Sequence, residues 1–371
     1  MTVTRDPSVG SGAMRFVAPQ PQAPAVALVS AAATRQLRAE VARGARPMPE
    51  YLRLSQRYGV NVVDWTRLDP IPRRRSILND IRHAAVAWPT ACRAGALLSD
   101  GEHVGVPIAL AARTLKHPPR HVVIGHHVTT TAKRRLLALA APRIDRLLVH
   151  TQAQAALLAA DDRIRKIRTY VVPYGVDTTF WAPMPAPQTD LVVSAGREHR
   201  DYRTLALACA GESFPVFITD NSAHSPLADR DSPVGWPANI TRGPLSWENL
   251  RHKYATAAVV VVPLVETEFA AGITAVLEAM AMGKPVVVTG TAGLAGVVAD
   301  GVNGVVIPPN DVAALRTALR GLLASPERRA RLGAAARQTV LTRFSLDTYV
   351  DALAHHLGRV REQASADEES V

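Results

Sequence analysis

Along most of the chain, short runs of β-branched and aliphatic residues alternate with longer stretches in which apolar positions recur every three or four residues. The first kind suits strands buried on both faces, and the second suits helices that lay one face on a sheet. Alternation of the two is the pattern of parallel strands joined by crossover helices, so the predicted class is α/β. In the first half the predicted strands are Val26–Ser30, Val60–Trp65, His121–Gly125, Leu147–His150 and Thr169–Val172. In the second they are Leu191–Ala195, Val216–Thr219, Ala258–Val262, Pro285–Thr289 and Gly304–Ile307. The segment Asp177–Asp190, with Pro183, Pro185 and Pro187, fits neither period and reads as a linker. Two doubly wound domains joined there would leave a cleft at the carboxyl ends of their strands, where open α/β sheets bind ligands. No internal repeat of fixed period points to a solenoid.

A length of 371 residues exceeds one ordinary core and agrees with two domains. No run of about 18 apolar residues is present, and the opening lacks the apolar stretch of a secretory signal, so a cytoplasmic location is expected. Cys92 and Cys209 lack metal-ligand spacing. Charge is divided unevenly: residues 1–183 carry 26 Lys and Arg against 12 Asp and Glu, whereas residues 184–371 carry 17 against 20. A basic first half, with Arg73-Arg74-Arg75 and Lys133-Arg134-Arg135, suits an anionic acceptor or peripheral contact with an anionic inner membrane face. Solubility alone explains it equally well. Aromatic residues are only 5% of the chain, which disfavours base stacking and hence nucleic acid as a partner.

The stretch richest in chemistry is Ala258–Gly304. A valine strand runs through Pro263 into a polar loop, and a helix is predicted from about Gly272. Ile273, Val276, Leu277 and Met280 share a core-facing side, while Thr274 and Glu278 lie one turn apart on another. The small turn Ala270-Ala271-Gly272 would leave helix N–H groups and the positive end of the dipole open to an anion such as a diphosphate. Glu278, one turn in, would offer two acceptor oxygens to the vicinal hydroxyls of a ribose.

Several blocks in order resemble the retaining glycosyltransferases of family 4. These are VPYGVD at 172–177, VSAGR at 193–197, LEAMAMGKPVV at 277–287 and DGVNGVVIPPND at 300–311. The resemblance covers nearly all the chain from about residue 26. It implies the GT-B fold of two Rossmann-like domains, over 25–180 and 181–344, with a C-terminal helix near 345–361 completing the first; residues 1–24 and 362–371 are expected to be disordered tails. It further implies transfer of a hexose from a nucleoside diphosphate sugar with retained anomeric configuration, without cofactor or metal. The acceptor is left open between lipid, glycan and secondary metabolite.

By the same resemblance, Glu278 is the ribose-binding member of a glutamate pair whose first position is Ala270 here. Glu266 or Glu268 could replace the missing carboxylate, or backbone groups of Ala271, Gly272, Ile273 and Thr274 could hold the sugar; Leu245 joins the donor set. Arg197 matches the first of two basic residues that neutralise the departing diphosphate, and Arg200 is the nearest equivalent of the second. A surface ion network with Glu198 and Asp201 would explain both arginines otherwise. The paired histidines after the third predicted strand supply a catalytic His127, with His126 as the alternative because neighbouring side chains point opposite ways. The usual glycine-rich loop is replaced by SAAATR at 30–35, where Arg35 could serve instead. Asp229-Arg230-Asp231 has the form of a metal-binding D-x-D but sits in a proline-containing loop and is read as a decoy. Three rivals remain: an epimerase of the same fold, a binding protein without turnover, and a nucleic-acid-binding protein.

Overall fold

The computed structural model describes residues 24–72, 76–187, 189–219 and 235–369. The clusters Arg73-Arg74-Arg75 and Asp229-Arg230-Asp231, and the first 23 residues of the expected tail, lie outside the described residues. Among the described residues, six strands form the first sheet: β1 (Ala25–Leu28), β2 (Asn61–Val63), β3 (Ala96–Ser99), β4 (Arg120–Gly125), β5 (Arg146–Val149) and β6 (Arg168–Val171). Six more form the second: β7 (Val192–Ala195), β8 (Val216–Thr219), β9 (Ile240–Arg242), β10 (Val259–Val262), β11 (Val286–Thr289) and β12 (Val305–Ile307). Every pairing is parallel, in the orders β2-β1-β3-β4-β5-β6 and β12-β11-β10-β7-β8-β9. Both orders reverse direction at a switch point, which opens a crevice at the strands' carboxyl ends.

The strands expected from sequence are present within a residue or two, and two further ones appear. Strand β3, Ala-Leu-Leu-Ser, lacks β-branched residues, so its pattern does not separate it from a helix; burial between β1 and β4 makes it a strand. Strand β9 is a three-residue edge, too short to carry a period.

The two halves are stitched firmly where the linker begins. Asp177 accepts from Met48 N (2.8 Å) with one oxygen and from Thr179 N and Phe180 N (both 3.0 Å) with the other. Trp181 is fully buried, and Arg337 donates through Nη1 to the carbonyls of Thr178 (3.2 Å), Trp181 (3.0 Å) and Ala281 (2.6 Å). From Leu346 the last helix crosses back to the first domain, where Tyr349, Val350, Leu353 and Leu357 join the core made by Ala27, Tyr51 and Leu98. Arg53 and Asp347 pin it there with a two-pronged ion pair (2.6 and 2.9 Å). This helix continues to Glu369, beyond the point where a disordered tail is expected from residue 362; the Glu, Gln and Ala residues there are good helix formers. Among the described residues, no helix is long and apolar enough to cross a membrane.

Candidate functional site

Strand β10 ends at Val262, and the chain then passes Pro263 and Leu264 before turning into the helix Ile273–Ala281. Gly272 caps that helix with φ +75° and no side-chain hydrogen bond. A Cβ at Gly272 would stand 2.9 Å from Val262 Cγ1 and 3.3 Å from Arg200 Nη1, so only glycine leaves the helix N-terminus open beside a guanidinium. Thr274 is exposed at this end, Ala271 is buried beneath it, and Ile273 and Leu245 are half-buried against the domain core.

Arg200 is buried and held by its own loop: Nε donates to Ala195 O (3.0 Å) and Nη1 to Glu198 O (2.8 Å). The loop is docked on the β10 turn by Val265 N to His199 O (3.1 Å), by Asp201 N to Pro263 O (3.1 Å) and by a bridge between Arg200 and Leu264. Arg200 therefore sits at the mouth of the helix by construction rather than as a surface ion pair with Asp201, whose carboxylate instead caps the next helix by accepting from Thr204 N (3.0 Å). Arg197, on the same loop, is half-buried. One turn into the helix, Glu278 is 9% exposed, with Tyr254 Oη 3.4 Å from its Oε2. Burial pushes the Glu278 carboxyl up to about 8, while Tyr254 and the charge of Arg200 pull the other way. Arg200, the Gly272 turn and Glu278 thus form one continuous patch.

The first domain meets this patch through His127. Its ring lies 4.5 Å from that of Phe269 and its Nε2 is 3.7 Å from Glu198 Oε1, on the arginine loop. Desolvation is the main influence on His127 and lowers its pKa, which keeps the imidazole neutral. His126 faces the other way: its N–H donates to Glu102 (3.0 Å) and its Nε2 lies 2.7 Å from Asp100 O. Thr151 also crosses, donating from Oγ1 to Glu268 O (3.2 Å).

The two glutamates weighed as substitutes for Ala270 differ in place. Glu266 accepts from Ala292 N (3.2 Å), and Glu268 is exposed. Arg35 is exposed at the start of a helix capped by Thr34. In the Lys133-Arg134-Arg135 cluster, Lys133 is bound to Glu102 (2.9 Å) and Arg134 to Asp161 (3.0 Å), which neutralises much of its charge locally. Sequence reasoning missed Tyr254, the partner of Glu278, and Gly293, where a Cβ would overlap the Phe269 carbonyl and dislodge the loop that bears the cleft contacts. Neither stands at a position that periodicity singles out. Parts of the motif blocks prove architectural: Asn303 closes a turn by accepting from Ala299 N (2.7 Å), and Lys284 ties the carbonyls of Ala255 and Ala257 (2.6 and 3.1 Å). Among the described residues, no group of three or more His, Cys, Asp or Glu is arranged to hold a metal ion.

Residues 240–339 match the family model described as Glycosyl transferases group 1. A D-inositol 3-phosphate glycosyltransferase of Xylanimonas cellulosilytica is 32% identical over 212 residues, 50% of either chain. The chain thus spans about half the length of such a curated relative. Among solved structures, the sucrose-phosphate synthase of Thermosynechococcus elongatus superposes with a TM-score of 0.70 at 17% identity, covering 93% of this chain and 100% of that one. Anabaena HepE in complex with UDP-glucose does so with a TM-score of 0.63 at 16% identity, over 93% of this chain and 99% of HepE. The segment 240–339 is thus similar to the glycosyl transferases group 1 family, and the two parallel sheets have the GT-B fold.

Proposed function

We propose that this protein transfers a hexose from a nucleoside diphosphate sugar to an acceptor bound on the first domain, with retention at the anomeric carbon. The observation that carries the reading is the buried Arg200 guanidinium set against the open, glycine-capped N-terminus of the helix that bears Glu278. A diphosphate seated there meets helix N–H groups and fixed positive charge. As the sugar–phosphate bond breaks, negative charge grows on the departing oxygens, so Arg200 and Arg197 stabilise the transition state more than the bound donor. Glu278 takes the ribose hydroxyls, Leu245 lines the nucleoside side, and backbone groups of Ala271 to Thr274 replace the carboxylate missing at Ala270. His127, neutral and at the domain junction, contacts the transferred sugar. The likeness to HepE, a protein solved with UDP-glucose, supports a nucleoside diphosphate hexose as donor.

Retention follows from the family resemblance and agrees with a site that relies on the diphosphate itself rather than on a carboxylate pair. A thermal-shift screen of nucleotide sugars identifies the donor, since a ligand that favours the native state raises its stability. Proton NMR of the product then reads the anomeric configuration. An inverted product overturns retention, and donor consumed without acceptor favours an epimerase. Exposed Ile77, Leu78 and Ile81 beside Arg82 support peripheral membrane contact as a second feature of the first domain.

A further inference from the structure

A buried amide fixes the backbone that carries His127. Thr151 caps the helix Gln152–Ala159, its hydroxyl accepting from Gln154 N (3.0 Å). The Gln154 side chain, 1% exposed, reaches from that helix start to the end of β4. Its Nε2 donates to His126 O (2.8 Å) and Gly125 O (3.3 Å), and its Oε1 accepts from His150 N (3.2 Å) and Thr151 Oγ1 (3.3 Å). Two carbonyls on one side and an N–H on the other set which way the amide points, and all its donors and acceptor positions are used.

These bonds pin two consecutive peptide planes. Gly125 O and His126 N belong to the first; buried Glu102 accepts from that N–H (3.0 Å) while Lys133 holds its other oxygen (2.9 Å). His126 O belongs to the second plane, which leads into His127. The contacts of the His127 ring itself are looser. Nε2 is 3.7 Å from Glu198 Oε1, beyond hydrogen-bond reach, and the ring meets that of Phe269 edge to face at 4.5 Å.

Capping alone does not need an amide. A glutamate three residues after Thr151 would offer the same acceptor oxygen, but it has no N–H for the two carbonyls. The cap also reaches the donor domain, because Thr151 Oγ1 donates to Glu268 O (3.2 Å), next to Phe269. A hydroxyl has one hydrogen, so Thr151 shares it between Glu268 O and Gln154 Oε1 and links the contact across the junction to the amide that sets the His127 backbone.

We propose that Gln154 is a positioning residue for sugar transfer: by holding the His126–His127 peptide it keeps the His127 imidazole turned to the donor domain, and Thr151 ties that placement to the contact between the domains. The inference rests on the transferase reading above, in which His127 contacts the transferred sugar. A reacting group displaced by about 1 Å loses on the order of a hundredfold in rate, even while the donor stays bound through Arg200, Gly272 and Glu278.

Gln154→Met keeps the length of the side chain without its donors. Its kcat should fall about tenfold or more, with donor Kd within about threefold of wild type. NMR titration of the His127 ring adds a readout that a merely structural role would leave unmoved. Desolvation, with Lys133 and His126, holds the His127 pKa below its ordinary value against the pull of Glu198 and Glu102, so a ring released toward water should titrate higher in the variant. Thr151→Val should lower kcat and raise the His127 titration in the same sense, and Thr151→Ser, which keeps the hydroxyl, should recover most of the lost rate. A kcat within about twofold of wild type in Gln154→Met, or a fallen kcat with the His127 titration unmoved, overturns the inference. Where Gln154→Met does not fold, the Thr151 pair decides by the same two criteria. Either failure with the donor still bound leaves the transferase reading standing, whereas absence of nucleotide-sugar binding removes that reading and the inference with it.

Discussion

Glu278→Gln separates what the buried carboxyl contributes to donor binding from what it costs the fold. Burial holds its pKa at about 8 in the ligand-free protein. If ribose hydroxyls donate to the ionised form, only the ionised fraction is competent, and apparent affinity scales with it. A group of pKa about 8 is ionised in roughly one molecule in eleven at pH 7 and in about three quarters at pH 8.5, so donor affinity should strengthen roughly eightfold over that interval. Calorimetric titration of the donor at several pH values reads the slope directly. Glu278→Gln should abolish it and weaken affinity at pH 8.5 by about 1.5–3 kcal/mol, the worth of hydrogen bonds to a charged group. Stability runs the other way. A carboxyl whose folded pKa is raised from 4.5 to about 8 contributes most below pH 4.5 and loses that contribution as pH climbs toward 8. The loss by pH 7 is roughly 3 kcal/mol, so the variant should melt above wild type at neutral pH and lose that advantage near pH 4. A flat affinity profile in wild type, or the same slope in the variant, refutes the ribose role.

Three further outcomes follow from the geometry. Arg197→Ala should lower kcat by about 10²–10³-fold with little change in melting temperature, as expected for a group that meets charge mainly in the transition state; unchanged kinetics remove it from the leaving-group role. His127→Ala should reduce transfer while leaving the fold intact, because the side chain lies at the domain junction; full activity transfers the role to His126 or to neither. Arg337→Ala strands the carbonyls of Thr178, Trp181 and Ala281, and should destabilise by about 2–4 kcal/mol in denaturant titration; a neutral effect would show that water replaces the guanidinium without penalty.

Much of the architecture is written in local pattern. The valine-rich strands β7, β10 and β11 and the apolar face of the Ile273–Ala281 helix are legible because burial on both sides leaves an unbroken apolar run. Strand β3 escapes notice because Ala-Leu-Leu-Ser suits a helix equally well until β1 and β4 flank it. At the site, glycine at the helix mouth and an acid one turn later can be read from spacing. That Arg200 is buried against that mouth depends on the docking of its loop on Leu264, a contact 64 positions away that no local period encodes. The polar cluster at the ends of β3, β4 and β5 is less visible still. Asp100, His126 and His150 stand far apart in sequence and come together because the neighbouring parallel strands β3, β4 and β5 end side by side. Net charge misleads here, since the basic excess of the first half is partly spent on Glu102 and Asp161 and does not describe the cleft.

The central claim is that the Gly272 turn and Arg200 receive a pyrophosphate. Calorimetry comparing a nucleoside diphosphate with its parent nucleoside tests this most directly. The diphosphate should bind at least about a hundredfold more tightly, a difference near 2.7 kcal/mol, and Arg200→Ala should erase most of the gap. Equal affinity for nucleoside and nucleoside diphosphate, or a gap unchanged in the variant, would contradict the account.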